Sequence, residues 1–440
     1  MSSTAQRTTR GSAGPGRSTA HRDMPPAARV EGPGLLFERT GIQMPIQVLW
    51  IVPHTIDPTQ LAALADRIAT GALGVRWTPA RVPLARPVWT SSRLQPEISI
   101  GAEIAAGDQC RWADHEIATA QLDLRAGRGW RLAMAPVADG SSVVSLVVSH
   151  SITDGQGVIV AVDAATRGEP TPATTSRPGV LDDLCDAVSA GAREYLAIAT
   201  ATATQFGTLH RPAAVLGNAL RVLTHGTVVP ERPIPANIIF TLPTGDLTDL
   251  ADTHAGTSTG LSVAIVANVV RALTATRHGT TTVAVPVSHR IDGDPSAANL
   301  ITTGVVDLGE HTGRYTDLAD IRRRSKLGYQ GATGKITGWR GAHSVLSSIG
   351  HISAPVAEAF GTSTTATLRS QVVHAPRGNP YTADDLALVG FRTFTDTTTT
   401  FSFTSPNHAL ADVVTAELAA WGLAPKGLWH NTQQVQENHA

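Results

Sequence analysis

The stretch Val143-Val144-Ser145-Leu146-Val147-Val148-Ser149-His150-Ser151-Ile152-Thr153-Asp154-Gly155 carries the pattern on which the reading of this 440-residue chain turns. Val143 to Val148 is almost continuously apolar, as expected of a β-strand covered on both faces and not of a solvated edge. His150 stands at the end of that strand, Asp154 and Gly155 follow in the loop, and Val158 to Ala165 predicts a short helix. Strand-to-helix junctions of this kind are where loops build sites. An imidazole titrates near operating pH, with an unperturbed pKa of about 6.5, which makes it the usual general base. Asp154 is suited to orienting the loop, Gly155 lets a ligand approach the backbone, and amides at the following helix start can face a developing oxyanion. Taken alone, a His-x-x-x-Asp-Gly string also arises by chance, with His150 a satisfied, partly buried histidine, so the surrounding chain has to decide.

Upstream, Met1 to Pro33 mixes Ser, Thr, Arg, Gly and Pro without an apolar run, and reads as a disordered tail. Structure is expected from Gly34, with a strand over Pro45 to Val52 and a helix capped by Asp57, opened by Pro58 and running to Thr70. Arg81 to Ile100 reads as short strands and turns, Trp112 to Leu122 as a weakly alternating segment, and Trp130 to Pro136 as a strand joined to Val143–Val148 through the turn Ala138-Asp139-Gly140-Ser141. Downstream come helical character from Val180 to Ala201, a segment from Val222 to Arg232, and a second half. That half offers strands at Ile238–Leu242, Thr282–Val287, Thr303–Leu308 and Thr397–Ser402, and helices at Leu261–Leu273, Leu318–Tyr329 and Ala409–Trp421. The fold class is therefore mixed α/β in two comparable halves, residues 34–210 and 211–430, with 431–440 as a tail.

Composition narrows the function classes. With 42% hydrophobic and 16% charged residues the chain can build a large core, and its net charge of -1 gives no field that would recruit nucleic acid. Two cysteines, Cys110 and Cys185, cannot form a disulfide framework, which fits a reducing, cytosolic compartment. No run of about 18 apolar residues predicts a transmembrane helix, although peripheral lipid contact stays compatible with the sequence. No histidine shows metal-ligand spacing, so no metal is expected.

Several segments resemble the superfamily of condensation domains, polyketide-associated acyltransferases and wax ester synthase/diacylglycerol acyltransferases, which share a His-His-x-x-x-Asp-Gly signature. They are the opening at Gly32-Pro33-Gly34, the Pro45-Ile46-Gln47 strand, Leu122-Asp123-Leu124, Trp130 and the His150 motif; then Val285-Pro286-Val287-Ser288-His289-Arg290, Ala298-Asn299-Leu300 and Phe401-Ser402-Phe403-Thr404. The resemblance implies two chloramphenicol-acetyltransferase-like halves forming a V-shaped pseudo-dimer with a central channel. It makes His150 the catalytic base, and Asp154 a structural residue salt-bridged to Arg290. Ser149 replaces the first histidine of the signature, and Asn299 lacks its usual preceding glycine. The implied activity is acyl transfer from an acyl-CoA or a phosphopantetheine-linked acyl group, the latter on an acyl carrier protein, to an alcohol or amine acceptor, with no bound cofactor. The wax ester and polyketide-associated branch is the favoured form, a stand-alone amide-forming condensation enzyme the alternative, and a catalytically inactive binding module a third reading.

Two other features compete. Gly256-Thr257-Ser258-Thr259-Gly260 matches the nucleophile elbow of serine hydrolases, which would make Ser258 a nucleophile; the segment Asp249 to His254 before it reads as a polar loop and not as the buried strand an elbow needs, so Ser258 or Thr259 is expected to cap a helix. Arg322-Arg323-Arg324-Ser325-Lys326 could meet CoA phosphates or an acidic carrier-protein helix, but consecutive arginines spread around a helix, and a solvated face is the expectation.

Overall fold

The computed structural model describes residues 29–30, 34–35, 38, 43–92, 94, 98–170, 177–196, 235–274, 279–291, 299–330, 342–361, 365–371 and 386–430. The expected tail beyond 430, the segment Val222–Arg232 and the division at 210/211 lie outside these residues.

The first half is organised by β1 (Ile46–Val52), whose apolar, β-branched run pairs antiparallel with β6 (Ser142–Val148). All seven residues of β6 are buried, in agreement with the two-sided covering expected from their composition. β5 (Trp130–Pro136) joins β6 through the expected hairpin, and β4 (Ile98–Ile100) adds in parallel. β2 (Val75–Thr78) and β3 (Val88–Ser91) form a separate two-stranded ribbon. Helix α1 (Pro58–Thr70) starts as the sequence predicts, Asp57 accepting from the Thr59 amide, and buries Leu61, Leu64 and Ile68.

Three expectations are corrected here. Trp112–Leu122 is not a strand: α2 spans Gln109–Thr119, because Cys110, Ala113 and Ile117 recur at helical spacing and give it one buried face. Asp249–His254 is not a loop but the end of α5 (Thr244–Thr253), whose Leu247 and Ala251 pack inward between polar neighbours. The assigned tail also overreaches, since Arg29 bridges to Val88 and Val30 is fully buried in the first core. Elsewhere, the helical region from Val180 begins as α4 (Val180–Asp186), continues through a π-helical turn at Ala187–Gly191, and is described to residue 196.

The second half builds a seven-stranded sheet from β7 (Ala236–Pro243), β8 (Thr280–Ser288), β9 (Ile301–Glu310), β10 (Ser344–His351), β12 (Leu388–Phe394), β13 (Thr398–Ser405) and β14 (Gly427–His430), in the order β14-β7-β13-β12-β10-β8-β9. Helices α6 (Ser258–Leu273), α7 (Leu318–Gln330) and α9 (Leu410–Ala420) cover it, α6 being buried along nearly its whole length. The short α8 (Ala354–Ala357) lies between β10 and β11 (Thr365–Ser370) in the chain.

The two halves are not self-contained. β11 leaves the second half and pairs antiparallel with β1, so that the first sheet reads β11-β1-β6-β5-β4. Ile352, Val356, Phe360 and Leu368 join the first core with it, and the Trp50 indole donates to the Val356 carbonyl. A second tie is polar and buried. Arg369 donates to Gln47 Oε1 and pairs with Asp114 Oδ1 at 2.5 Å, and Asn237 of β7 donates to the same Asp114 oxygen. Within the second sheet, β8 pairs with β10 through Val283 and Ala284, so Pro286, which has no N–H to donate, falls beyond that pairing, where among the described residues β8 has no partner on that side. From there β8 leads to Arg290.

Candidate active site

Strand β6 delivers Ser149 and His150 into the turn before helix α3 (Gly155–Thr166). Asp154 caps α3, its Oδ1 accepting from the Gly157 amide at 2.8 Å. Such a cap is worth about 1 kcal/mol by itself. Here its other oxygen is also committed: Oδ2 accepts from Arg290 Nη2 at 3.0 Å and from the Leu300 amide at 2.9 Å. The same Arg290 nitrogen donates to Thr153 Oγ1. Asp154 thus holds three segments together, the motif loop, the end of β8 and the approach to β9.

That junction brings Asn299 onto His150. Asn299 Nδ2 donates to the His150 carbonyl at 2.9 Å, which turns its Oδ1 toward the ring, 2.8 Å from Nδ1. An acceptor facing Nδ1 favours the tautomer with the proton on that nitrogen, the form that could accept a proton at Nε2. Burial pushes the His150 pKa below 6.5; hydrogen bonding and the Asp154 charge act in the opposite direction without offsetting it. The ring is therefore neutral at pH 7. Ser149 does not point a second imidazole at the site; its hydroxyl accepts from the Ser151 amide and tightens the turn. Ser149, His150 and Ser151 line a small cavity of about 20 Å³ walled by Glu38, Met44 and Leu124, with the Ser151 hydroxyl donating to Glu38.

The structure brings His150, Ser149, Asp154, Gly155, Arg290 and Asn299 together. It places Ser258 elsewhere, at the first position of α6, where Thr257 and not Ser258 or Thr259 supplies the cap and the Ser258 hydroxyl meets Arg392. Helix α5 and a turn precede it instead of a strand, and among the described residues no histidine is hydrogen-bonded to it.

No protein-family model and no curated protein sequence matches the chain. Solved structures do. The first condensation domain of the CDA synthetase superposes with a TM-score of 0.56 at 15% identity, covering 91% of this chain and 99% of that one. The condensation domain of the monacolin K polyketide synthase gives 0.53 at 10% identity over 90% and 96%. The starter condensation domain of rhizomide synthetase, a mutant solved with C8-CoA and Leu-SNAC, gives 0.51 at 13% over 90% and 92%.

The chain has the condensation-domain fold. At these identities the likeness is one of backbone, and it agrees with the mixed α/β class and the superfamily resemblance read from the sequence. On this condensation-domain fold the motif loop carries a serine before the histidine and an alanine before Asn299. Sequence reasoning passed over Gly157, whose added Cβ would lie 2.0 Å from Thr153 Oγ1 and 2.7 Å from Arg290 Nη2. Only glycine lets Arg290 reach Asp154 there. The second glycine after the aspartate was the available signal. Thr153, the Leu300 amide and Glu38 offered none, because their roles depend on partners more than a hundred residues away.

Proposed function

We propose that the protein is an acyltransferase that moves an acyl group from a thioester, on CoA or a phosphopantetheine arm, to a hydroxyl or amine acceptor, with His150 as general base. The observation that supports this reading is the Asn299–His150 contact, which favours a proton on Nδ1 at the lip of a cavity. Nε2 takes the proton from the acceptor O–H or N–H while the acceptor's lone pair bonds to the thioester carbonyl carbon. The carbonyl oxygen becomes an oxyanion. When it collapses, the C–S bond breaks and the departing thiolate takes the proton back from the imidazolium, leaving an ester or amide, a thiol and a neutral histidine. No covalent acyl-enzyme is needed.

Asp154 and Arg290 act on this chemistry indirectly, as positioning residues that hold the loop and Leu300 in place. The cavity beside His150 has room for about one water-sized group, which suits an attacking atom. The condensation domains of peptide and polyketide synthetases that share the fold favour amide- or ester-forming secondary metabolism over the wax ester form. That a starter domain of this fold was solved with C8-CoA and Leu-SNAC supports a thioester donor and an amine-bearing acceptor as first choices for assay.

The test is thiol release from a panel of acyl-CoAs and acyl-pantetheines, with and without mixed alcohols and amines, for wild type and His150→Ala. Acceptor-dependent release should fall about 100- to 10,000-fold in the variant. Equal release from both proteins would remove His150 from the chemistry, and acceptor-independent release would indicate a thioesterase. Acceptor binding with no turnover in either protein would indicate a binding module.

A further inference from the structure

We infer that a cavity between the start of α6 and the last turns of α7 binds the phosphate-bearing end of coenzyme A. It is an open groove of about 540 Å³, lined by Thr257 at the cap of α6, by Thr259 and Gly260 of α6, and by Arg322, Ser325, Lys326, Tyr329 and Gln330 of α7. That volume is in the range of ligand sites and far exceeds a bare phosphate.

The α6 side offers the positive end of a 16-residue helix, a natural place for an anion. The α7 side adds two cations. Arg322 and Lys326 are four residues apart and share a helix face, whereas Arg323 and Arg324 turn back to Asp320. The basic run thus splits into a paired half and a half that lines the cavity. Among the described residues neither Arg322 nor Lys326 has a carboxylate partner, and no acidic side chain lines the cavity.

One buried group lines the cavity, and a second lies behind the first turn of α6 that forms its wall. Ser325 lines the cavity at 5% exposure, and its hydroxyl has no hydrogen-bond partner among the described residues. Arg392 of β12, 6% exposed, reaches the first turn of α6 with Nη2 3.3 Å from Ser258 Oγ and Nη1 3.5 Å from Thr259 Oγ1, while its Nε has no partner among the described residues. The guanidinium also lies over the Phe394 ring, 5.3 Å from its centroid, but among the described residues no carboxylate serves as the counter-charge that would offset its desolvation. A bound phosphate supplies one. Tyr329, 37% exposed, adds an aromatic face on which a purine could stack.

The choice of coenzyme A rests on the acyl-transfer reading. It also rests on position: α7 packs on β9, and β9 begins directly after Asn299 and Leu300, so the cavity and His150 are served by neighbouring parts of the second sheet.

The experiment measures binding of coenzyme A and of pantetheine, which lacks the phosphates, to wild type and to Arg322→Ala/Lys326→Ala by calorimetry. It also measures kcat/KM for one acyl group carried on each. We expect at least a tenfold loss of coenzyme A affinity in the double variant, and a similar fall in the ratio of kcat/KM for acyl-CoA over acyl-pantetheine. Arg322→Lys should restore most of the binding in the Lys326 background. Undiminished coenzyme A binding by the double variant, or no coenzyme A binding by wild type, would overturn the inference. Failure of the acyl-transfer reading is distinct, since it would appear as acyl-pantetheine turnover insensitive to His150→Ala whatever coenzyme A does.

Discussion

Asp154–Arg290 and Asp114–Arg369 are the same contact chemically, a carboxylate against a guanidinium with both side chains at most 3% exposed. They join positions 136 and 255 residues apart. Their surroundings differ. Asp154 and Arg290 sit in connecting segments, and the carboxylate's other partners are backbone amides of Gly157 and Leu300. Asp114 and Arg369 lie on α2 and β11, and their other partners are side chains, Gln47 of β1 and Asn237 of β7. Bringing ions out of water costs several kcal/mol each, and in both pairs the carboxylate's further hydrogen bonds offset part of that cost. The difference teaches that one pair fixes where a loop stands relative to His150, and the other fixes how helix, first sheet and second sheet meet.

The largest expected effect tests the structural pair. Arg369→Ala leaves Asp114 buried without its counter-charge and should cost about 3–5 kcal/mol in denaturant unfolding, with kcat/KM per folded molecule unchanged. A loss below about 1 kcal/mol would show that water or repacking replaces the pair, and the contrast would collapse. Arg290→Ala should cost about 3 kcal/mol and, in addition, lower kcat/KM per folded molecule at least tenfold, because Leu300 and Asn299 lose their anchor. Equal activity in the two folded variants would break the comparison from the other side. Gly157→Ala keeps both charges but forces the ion pair apart by overpacking, at about 1–3 kcal/mol, with a fall in kcat that Ala substitution at the exposed Gly245 should not produce. The smallest effect is in pH. His150 must be neutral to take a proton and its pKa lies below the ordinary 6.5, so kcat/KM should stay level as pH falls through 6.5 and decline only at more acid values. A midpoint above 6.5 would mean that the ring is not buried as described.

Much of the site was legible because its signal is local. A continuous apolar run, a histidine at its end and an aspartate before a helix predict strand, junction and cap from neighbouring residues alone, and β6, His150 and α3 stand in that order. The pairing of Asp154 with Arg290 entered only through resemblance, since nothing in the spacing of two distant residues fixes their contact. α2 was misread because Trp112, Ala113 and Asp114 mix polar and apolar residues closely enough to imitate alternation, whereas the buried set follows a helical period. β11 was missed altogether. Thr365-Ala366-Thr367-Leu368-Arg369-Ser370 is short and carries an arginine that looks solvated until Asp114 and Gln47 are brought to it. Arg322 and Lys326 were hidden in a run whose members separate only when wound on α7.

The crossing of β11 into the first sheet has a consequence for the order in which the chain can acquire its structure. The ribosome delivers β1 and β6 early, but the strand that closes the free side of β1 arrives more than 300 residues after it, together with Ile352, Val356 and Phe360 of the same core. Until then β1 offers an open row of amides and carbonyls to any passing strand. Synthesis therefore passes through a long interval in which the first half is complete in sequence and unfinished in space, with an open strand edge of the kind that invites aggregation, and folding closes late and non-locally.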